Sequence, residues 1–352
     1  MREASSFPDA RVDALALALA PGVGARRYRE RSQGFGSAAQ AFAATVDPSD
    51  QARLRDEAAR LAADAAQCGA TLLLLSDEAY PASLLQLFDP PPYLCVLGDL
   101  SVLARPTVAI VGTRRATPYG ERVTHALSGA LAAAGVCVVS GMARGIDAAA
   151  HRAALARGGV TAAVLGTGVD IAYPVAHRSL HASIAQRGAV ISEFPCGSRA
   201  GPASFPRRNR VIAALASLTI VVEAGERSGA LITAEHALDI GRDVGAVPGP
   251  VESPQHVGSN GLLKHGAHAI LGVDDALSLL GLPDASARPN VGATLAGDER
   301  AVWIALEDGA TPIDRLTERA ALTPRRSLAA VTALELAGLV ETLPTGEVHR
   351  RH

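Results

Sequence analysis

From Thr107 onward, short runs of β-branched and aliphatic residues alternate with longer stretches of helical spacing: VAIV, VCVVS, TAAVLG, AVISEF, LTIVVEA and DVGAVP are the apolar runs. Runs without a polar face read as strands covered on both sides, and the stretches between them as crossover helices. The first crossover carries a full set of helix signals, with Thr117 as N-cap, Pro118 at the first helical position and Gly135 just past the end. The second is expected to be capped by Asp147 and to stop near Gly158. Crossovers of this kind are right-handed and place helices on both faces. The pattern therefore predicts an α/β domain over residues 70–281, an extended Rossmann-like, doubly wound, mostly parallel sheet.

Two further domains flank it. Residues 1–69 are alanine-rich with helical spacing, interrupted by Pro21, Gly22, Gly24, Gly34 and Gly36, which predicts a small domain of short helices. Within it, LALALAPGVGARRYRE is either a helix-hairpin-helix element, whose glycine turn would bring backbone amides to a phosphate, or a plain tight turn. Residues 282–297 are rich in Pro, Ala, Ser and Gly and read as a linker. Residues 298–352 give three helical stretches followed by VETLPTGEVHR, a two-stranded wing, and so predict a winged-helix domain.

Composition narrows the possibilities. The chain has 352 residues, a net charge of −2 and 3% aromatic residues, so a nucleic-acid site, if present, must be local. Lys264 is the one lysine among 33 basic residues; so strong an arginine bias is compositional, and arginine abundance by itself carries no argument. Cys68, Cys95, Cys137 and Cys196 are far apart in sequence without a CxxC pair, and read as free thiols. No membrane span or leader pattern is visible, so a cytoplasmic protein without membrane contact is expected. His177 and His181 have i, i+4 spacing but no HExxH or third ligand, and no metal or cofactor is expected.

In a doubly wound sheet, ligands lie beyond the carboxyl ends of the strands, and the loops there are glycine-rich. IVGTRRATPYG offers Gly112, Thr113, Arg114 and Arg115 before a helix; VVSGMARGIDAAAH offers Ser140, Gly141, Arg144 and Gly145; LGTGVDIAYP offers Gly166; and VVEAGERSGALITAEHAL offers Ser228, Gly229 and Thr233. Each suits an anion, although glycine at such a turn also serves helix–strand packing. GxGxxG and GxxxxGK[ST] are both missing, which argues against a dinucleotide enzyme or a P-loop NTPase. The stretch CGSRAGPASFPRRNRVIAALAS combines Arg199, Arg207, Arg208 and Arg210 with Phe205 and no acidic residue. Cations that grip a backbone beside an aromatic that stacks a base are the means of sequence-tolerant single-strand binding; a solvated charged loop packed by Phe205 is the alternative. Glu193, Glu223 and Asp170 are isolated carboxylates without a catalytic partner, so no enzyme is expected.

Taken in order, DEAYPASLLQLFDPPPYLCVLGDL, VAIVGTRRATPYG, VVSGMARGIDAAAH, AVLGTGVDIAYP, ISEFP, FPRRNRVIAALA, VVEAGERSGALITAEHAL and GSNGLLKHGAHAI resemble the DprA/Smf family of DNA-processing proteins over most of the chain. The resemblance implies a non-catalytic module that binds and protects single-stranded DNA in natural transformation and loads the RecA recombinase. Its GSR-type arginine falls on Arg114 and its FPxRNR motif on Phe205, Pro206, Arg208, Asn209 and Arg210. Relatives often carry a lysine and a further aromatic or histidine before that motif, where this chain offers Arg199. The resemblance also implies a homodimer through GSNGLLKHGAHAI, including Leu262, Leu263 and Ile270, with the recombinase nearby and a single-strand-binding protein as a further partner. The winged helix has nine acidic against seven basic residues from Asp298 onward, a poor balance for duplex DNA, with Arg325, Arg326, Arg350 and Arg351 as its candidate phosphate contacts. The rival reading is a nucleotide-processing hydrolase on the same fold, using Glu223 and Glu235; the PGGxGT signature of such enzymes is missing where VEAGERSGAL stands.

Overall fold

The computed structural model describes residues 9–283, 295–306, 311–343 and 346–350. By contact the chain divides into two compact units, Met1–Leu282 and Pro283–His352.

The larger unit opens with four helices, α1 (Asp9–Leu19), α2 (Ala25–Gly34), α3 (Ala38–Thr45) and α4 (Pro48–Gln67). Asp47 caps α4 by accepting from Ser49 N, and Pro48 occupies its first turn. Leu15, Phe42, Leu54 and Ala58 from these helices belong to the same continuous core as Leu74, Leu94, Val139 and Ile191 of the sheet. The helices of 1–69, read from the sequence as a domain apart, thus share one core with the α/β domain.

Among the described residues nine strands form one sheet in the order β1-β2-β6-β5-β4-β3-β7-β8-β9. β3 (Thr107–Val111), β4 (Cys137–Ser140), β5 (Thr161–Val164), β6 (Ala189–Ser192), β7 (Leu218–Val221) and β8 (Asp243–Ala246) are the six apolar runs of the sequence, and all pair in parallel. β1 (Thr71–Leu74) and β2 (Tyr93–Gly98) add an antiparallel edge through β2–β6, and β9 (His268–Ala269) extends the other edge. One face is covered by α5 (Pro118–Ala133), α6 (Ile146–Ala156) and α7 (Arg178–Arg187), packed side by side. The other carries α8 (Ser204–Leu215) and α9 (Gly229–Asp239). Covered on both faces, β3 to β7 are buried at every position. The chain leaves β3 in one direction through β4, β5 and β6 and returns on its other side to β7, so the strand order reverses between β3 and β7. There the crossover helices part and leave a crevice at the strand ends.

The first crossover obeys its sequence signals: Thr117 Oγ1 accepts from Gly120 N, and Gly135 takes φ +86° after the last turn. The second departs from expectation. Gly145, not Asp147, precedes α6; Asp147 lies in the first turn, where its carboxylate accepts from Gly141 N (3.1 Å) and Ala143 N (3.4 Å). It closes the loop before the helix rather than capping the helix.

In the smaller unit, α10 (Gly297–Ala305), α11 (Ile313–Arg319) and α12 (Pro324–Leu336) enclose Val302, Leu316, Val331 and Leu334 against Val340 and Val348. The wing strands β11 (Val340–Thr342) and β12 (Glu347–Arg350) pair as expected, and Thr311–Pro312 joins β12 as a third strand, β10, that the sequence did not signal. Arg326 is held by Asp298 at 2.6 and 2.8 Å, and Arg350 lies over the Trp303 ring at 4.4 Å. Two of the arginines expected to meet phosphate are therefore engaged within the unit; Arg325 is exposed, and Arg351 lies outside the described residues.

Candidate functional site

The crevice at the switch point is a cavity of about 690 Å³ lined by the loops after β3, β4 and β7 and by the start of α8. A second cavity of about 260 Å³ adjoins it between the loops after β3, β4 and β5, and the two share Arg114, Ala143, Phe205 and Arg208.

The frame is made by backbone. Thr113 N donates to Glu223 O at 2.7 Å and Thr113 O accepts from Ile146 N at 3.2 Å, so one residue ties the ends of β3 and β7 to the start of α6. Gly145 takes φ +74°, and a Cβ there would strike Thr113 O; glycine is needed for the loop after β4 to pass this close. The Thr113 hydroxyl accepts from Arg115 N at 3.2 Å and turns the chain so that Arg114 and Arg115 project outward, both exposed. At the β7 end, Ser228 caps α9 through Ala230 N, and Gly229 begins the helix on the cavity wall. An amide-rich helix start that faces a cavity suits an anion.

The recognition surface is aromatic and cationic. The Arg114 guanidinium lies 5.0 Å from the Phe205 ring centroid, and the Phe205 ring lies 5.3 Å from that of Tyr173. Phe205 rests on Gly166, where an added Cβ would come within 3.1 Å of the ring; Gly166 sets the height of this platform. Around it, Arg115 and Arg144 line the smaller cavity and Arg227 the larger, all exposed. Tyr173 and Arg227 were not singled out in the sequence. The signal was present in both cases, an aromatic in one glycine loop and an arginine in another.

Other sequence candidates lie deeper. Arg208 is 4% exposed. Its Nη1 donates to Gly141 O at 2.7 Å and to Val164 O, and its Nε donates to Asn209 Oδ1 at 3.2 Å. It ties the ends of β4 and β5 to α8, and burial pushes its guanidinium down to about 10. Asp147 is buried beside it; burial raises its carboxyl above the usual range against the pull of Arg208. Asn209 is buried and donates to Gly229 O at 3.1 Å, which fixes the start of α9. Arg210 lies away from both cavities: it pairs at 2.6 Å with buried Glu193, which Arg207 also contacts at 2.9 Å. The Ser140 hydroxyl is buried and donates to Ile110 O. Of the FPxRNR motif, then, Phe205 and Pro206 face the cavity, Arg208 and Asn209 brace its floor, and Arg210 anchors α8 from behind. Arg199 is exposed on the approach loop.

Glu223, a candidate of the rival hydrolase reading, is fully buried, and its Oε2 accepts from Thr117 N (3.0 Å) and Thr117 Oγ1 (3.2 Å), so it holds the start of α5; Glu235 is on the exposed side of α9. His177 and His181 donate to Met142 O and Val169 O and anchor separate loops. Ile270, expected at a dimer interface, is 2% exposed and packs against Gly245 in the chain's own core; Leu262 and Leu263 are half-buried, and neighbouring Leu271 is 81% exposed. Among the described residues no helix is long and apolar enough to cross a membrane.

Comparison with known proteins adds to this geometry. The family model for DNA recombination-mediator protein A matches residues 71–281, and that for the DprA winged helix domain matches residues 286–346. A putative DNA processing protein DprA of Mycobacterium tuberculosis is 44% identical over 259 residues, 71% of this chain and 67% of the relative. Protein Smf of Escherichia coli is 38% identical over 293 residues, 80% of this chain and 77% of the relative. The X-ray structure of DNA processing protein A from Streptococcus pneumoniae superposes with a TM-score of 0.67 at 31% identity, covering 78% of this chain and 98% of that one. A structure of DNA processing protein A from Helicobacter pylori, described for its single-stranded DNA binding mode, superposes with a TM-score of 0.55 at 31% identity, over 60% of this chain and 97% of that one.

Proposed function

The chain belongs to the DNA recombination-mediator protein A family, and from that premise we propose that its switch-point crevice holds single-stranded DNA without regard to sequence. The observation that carries the reading is the platform of Arg114, Phe205 and Tyr173 at the boundary of the two cavities. A base stacks on the aromatic rings while its phosphates meet Arg114, Arg115, Arg144 and Arg227 and the amides at the start of α9. Every base has a π-face, so stacking tolerates sequence, whereas a duplex keeps its bases paired and out of reach of the platform. The protein acts by binding and involves no turnover: it shields a single strand in the cytoplasm and passes it to a RecA-type recombinase. It works as a homodimer through Leu262, Leu263 and exposed Leu271, with a single-strand-binding protein as a further partner.

Fluorescence anisotropy with labelled oligo-dT and a matched duplex tests this reading. Tight binding of the oligo-dT with a marked preference over the duplex is expected. Equal affinity for the two, or release of free base from a nucleoside monophosphate, would overturn it.

A further inference from the structure

The chain has four cysteines, and three of them meet in space although they lie far apart in sequence. Cys68 is the C-cap of α4, Cys95 lies in β2, and Cys196 is in the loop between β6 and α8. Cys95 and Cys68 are both neighbours of the Cys196 thiol. Asp170, from the loop after β5, completes the group: one ligand atom each from Cys68, Cys196 and Asp170 lies within 4.8 Å of the others. We propose that Cys68, Cys196 and Asp170 bind a zinc-class divalent cation.

Two observations support this. The first is size: with metal–sulfur bonds of about 2.3 Å, a tetrahedral ion holds its sulfurs about 3.8 Å apart, so modest side-chain closure suffices. The second is orientation. Asp170 accepts from Gly197 N at 2.9 and 3.0 Å, and Gly168 N donates to Ser198 O at 2.9 Å, so the carboxylate and the Cys196 loop are already registered to each other. Two sulfurs and one oxygen suit zinc rather than a hard cation such as magnesium or calcium. Cys68 and Cys196 are half-buried and Asp170 exposed, so an ion has a path in. Once bound, it would tie the end of α4 to the loop that leads through Arg199 to Phe205.

The test uses the full chain, reduced and free of any histidine tag, titrated with Co²⁺ alone and then with Zn²⁺. One equivalent of Co²⁺ should raise a thiolate-to-metal charge-transfer band in the near ultraviolet, which Zn²⁺ abolishes. Cys68→Ser and Cys196→Ser should each lose the band, and Cys137→Ala, which removes the fourth thiol in β4, should keep it. Zinc should raise the melting temperature of the wild type and not that of Cys68→Ser, and a cooperative melt of each variant would show that it is folded. A wild type with no band, or a band that survives in folded Cys68→Ser and Cys196→Ser, would overturn the proposal. So would a Cys68–Cys196 disulfide in protein purified under reducing conditions.

Discussion

Replacing Arg208 with methionine separates bracing the site from contacting its ligand. The side chain is 4% exposed and donates to Gly141 O, Val164 O and Asn209 Oδ1. Methionine fills much of the volume of the stem but supplies none of the donors. Two buried carbonyls then lose the Arg208 donor, and the buried Asp147 carboxyl loses the larger of the two arginine charges acting on it, leaving the smaller pull of Arg114. Removing one partner of a buried charged network costs about 3–5 kcal/mol, and at about 2–4 °C per kcal/mol for a unit of this size the melting temperature should fall by roughly 6–20 °C. Urea unfolding of wild type, Arg208→Met and Arg208→Met/Asp147→Asn provides the measurement. The double variant, which neutralises the stranded carboxylate, should regain at least about 1 kcal/mol. Arg114→Ala, an exposed substitution, should stay within about 0.5 kcal/mol of wild type. A loss below about 1 kcal/mol for Arg208→Met, together with lost DNA binding, would refute the bracing role and return Arg208 to the interface.

Other single residues carry expectations of their own. Burial pushes the His151 imidazole down to about 3, with the Arg208 charge adding to the effect. The folded state therefore keeps it neutral where the unfolded chain takes up a proton, and its contribution, complete above about pH 6.5, is lost at about 1.4 kcal/mol per pH unit as pH falls towards 3. Urea midpoints from pH 7 to pH 4 should fall less steeply in His151→Leu than in wild type. Phe205→Ala should weaken oligo-dT binding by about 5- to 150-fold, at 1–3 kcal/mol per stacked base, while Phe205→Trp retains most of it. Gly145→Ala, forced to φ +74° against Thr113 O, should lower stability by roughly 1–3 kcal/mol and reduce binding with it; an unchanged urea midpoint would count against the strained loop.

Much of the fold was legible in the sequence because burial on both faces leaves a clear mark: β3 to β7 are buried at every position and consist mainly of β-branched and aliphatic residues. The edges were harder. β9 has only two residues, and β10 is two residues containing a proline, too short for any periodicity. In the site, glycine and arginine loops could be read because the switch point collects them. Which arginine of PRRNR points where could not, since on α8 that depends on the register of the helix against β4, β5 and β6: Arg207 and Arg210 turn to Glu193, while Arg208 turns to the strand ends. Ile270 illustrates another limit, because an apolar residue reads the same whether it meets a partner or its own core. The cysteines read correctly as free thiols, but their grouping could not be read, since the proximity of residues 68, 95 and 196 is created by the antiparallel edge and by the packing of α4 beside it.

The salt dependence of oligo-dT binding, measured side by side for wild type and Arg114→Ala, tests the assignment of the crevice most directly. Each phosphate neutralised on a single strand contributes about 0.7 to the slope of log K against log salt, so the variant should bind more weakly with a slope shallower by about that amount. Identical affinity and slope in the two proteins would mean that the strand does not pass over Arg114, and the interface would have to be sought elsewhere on the molecule.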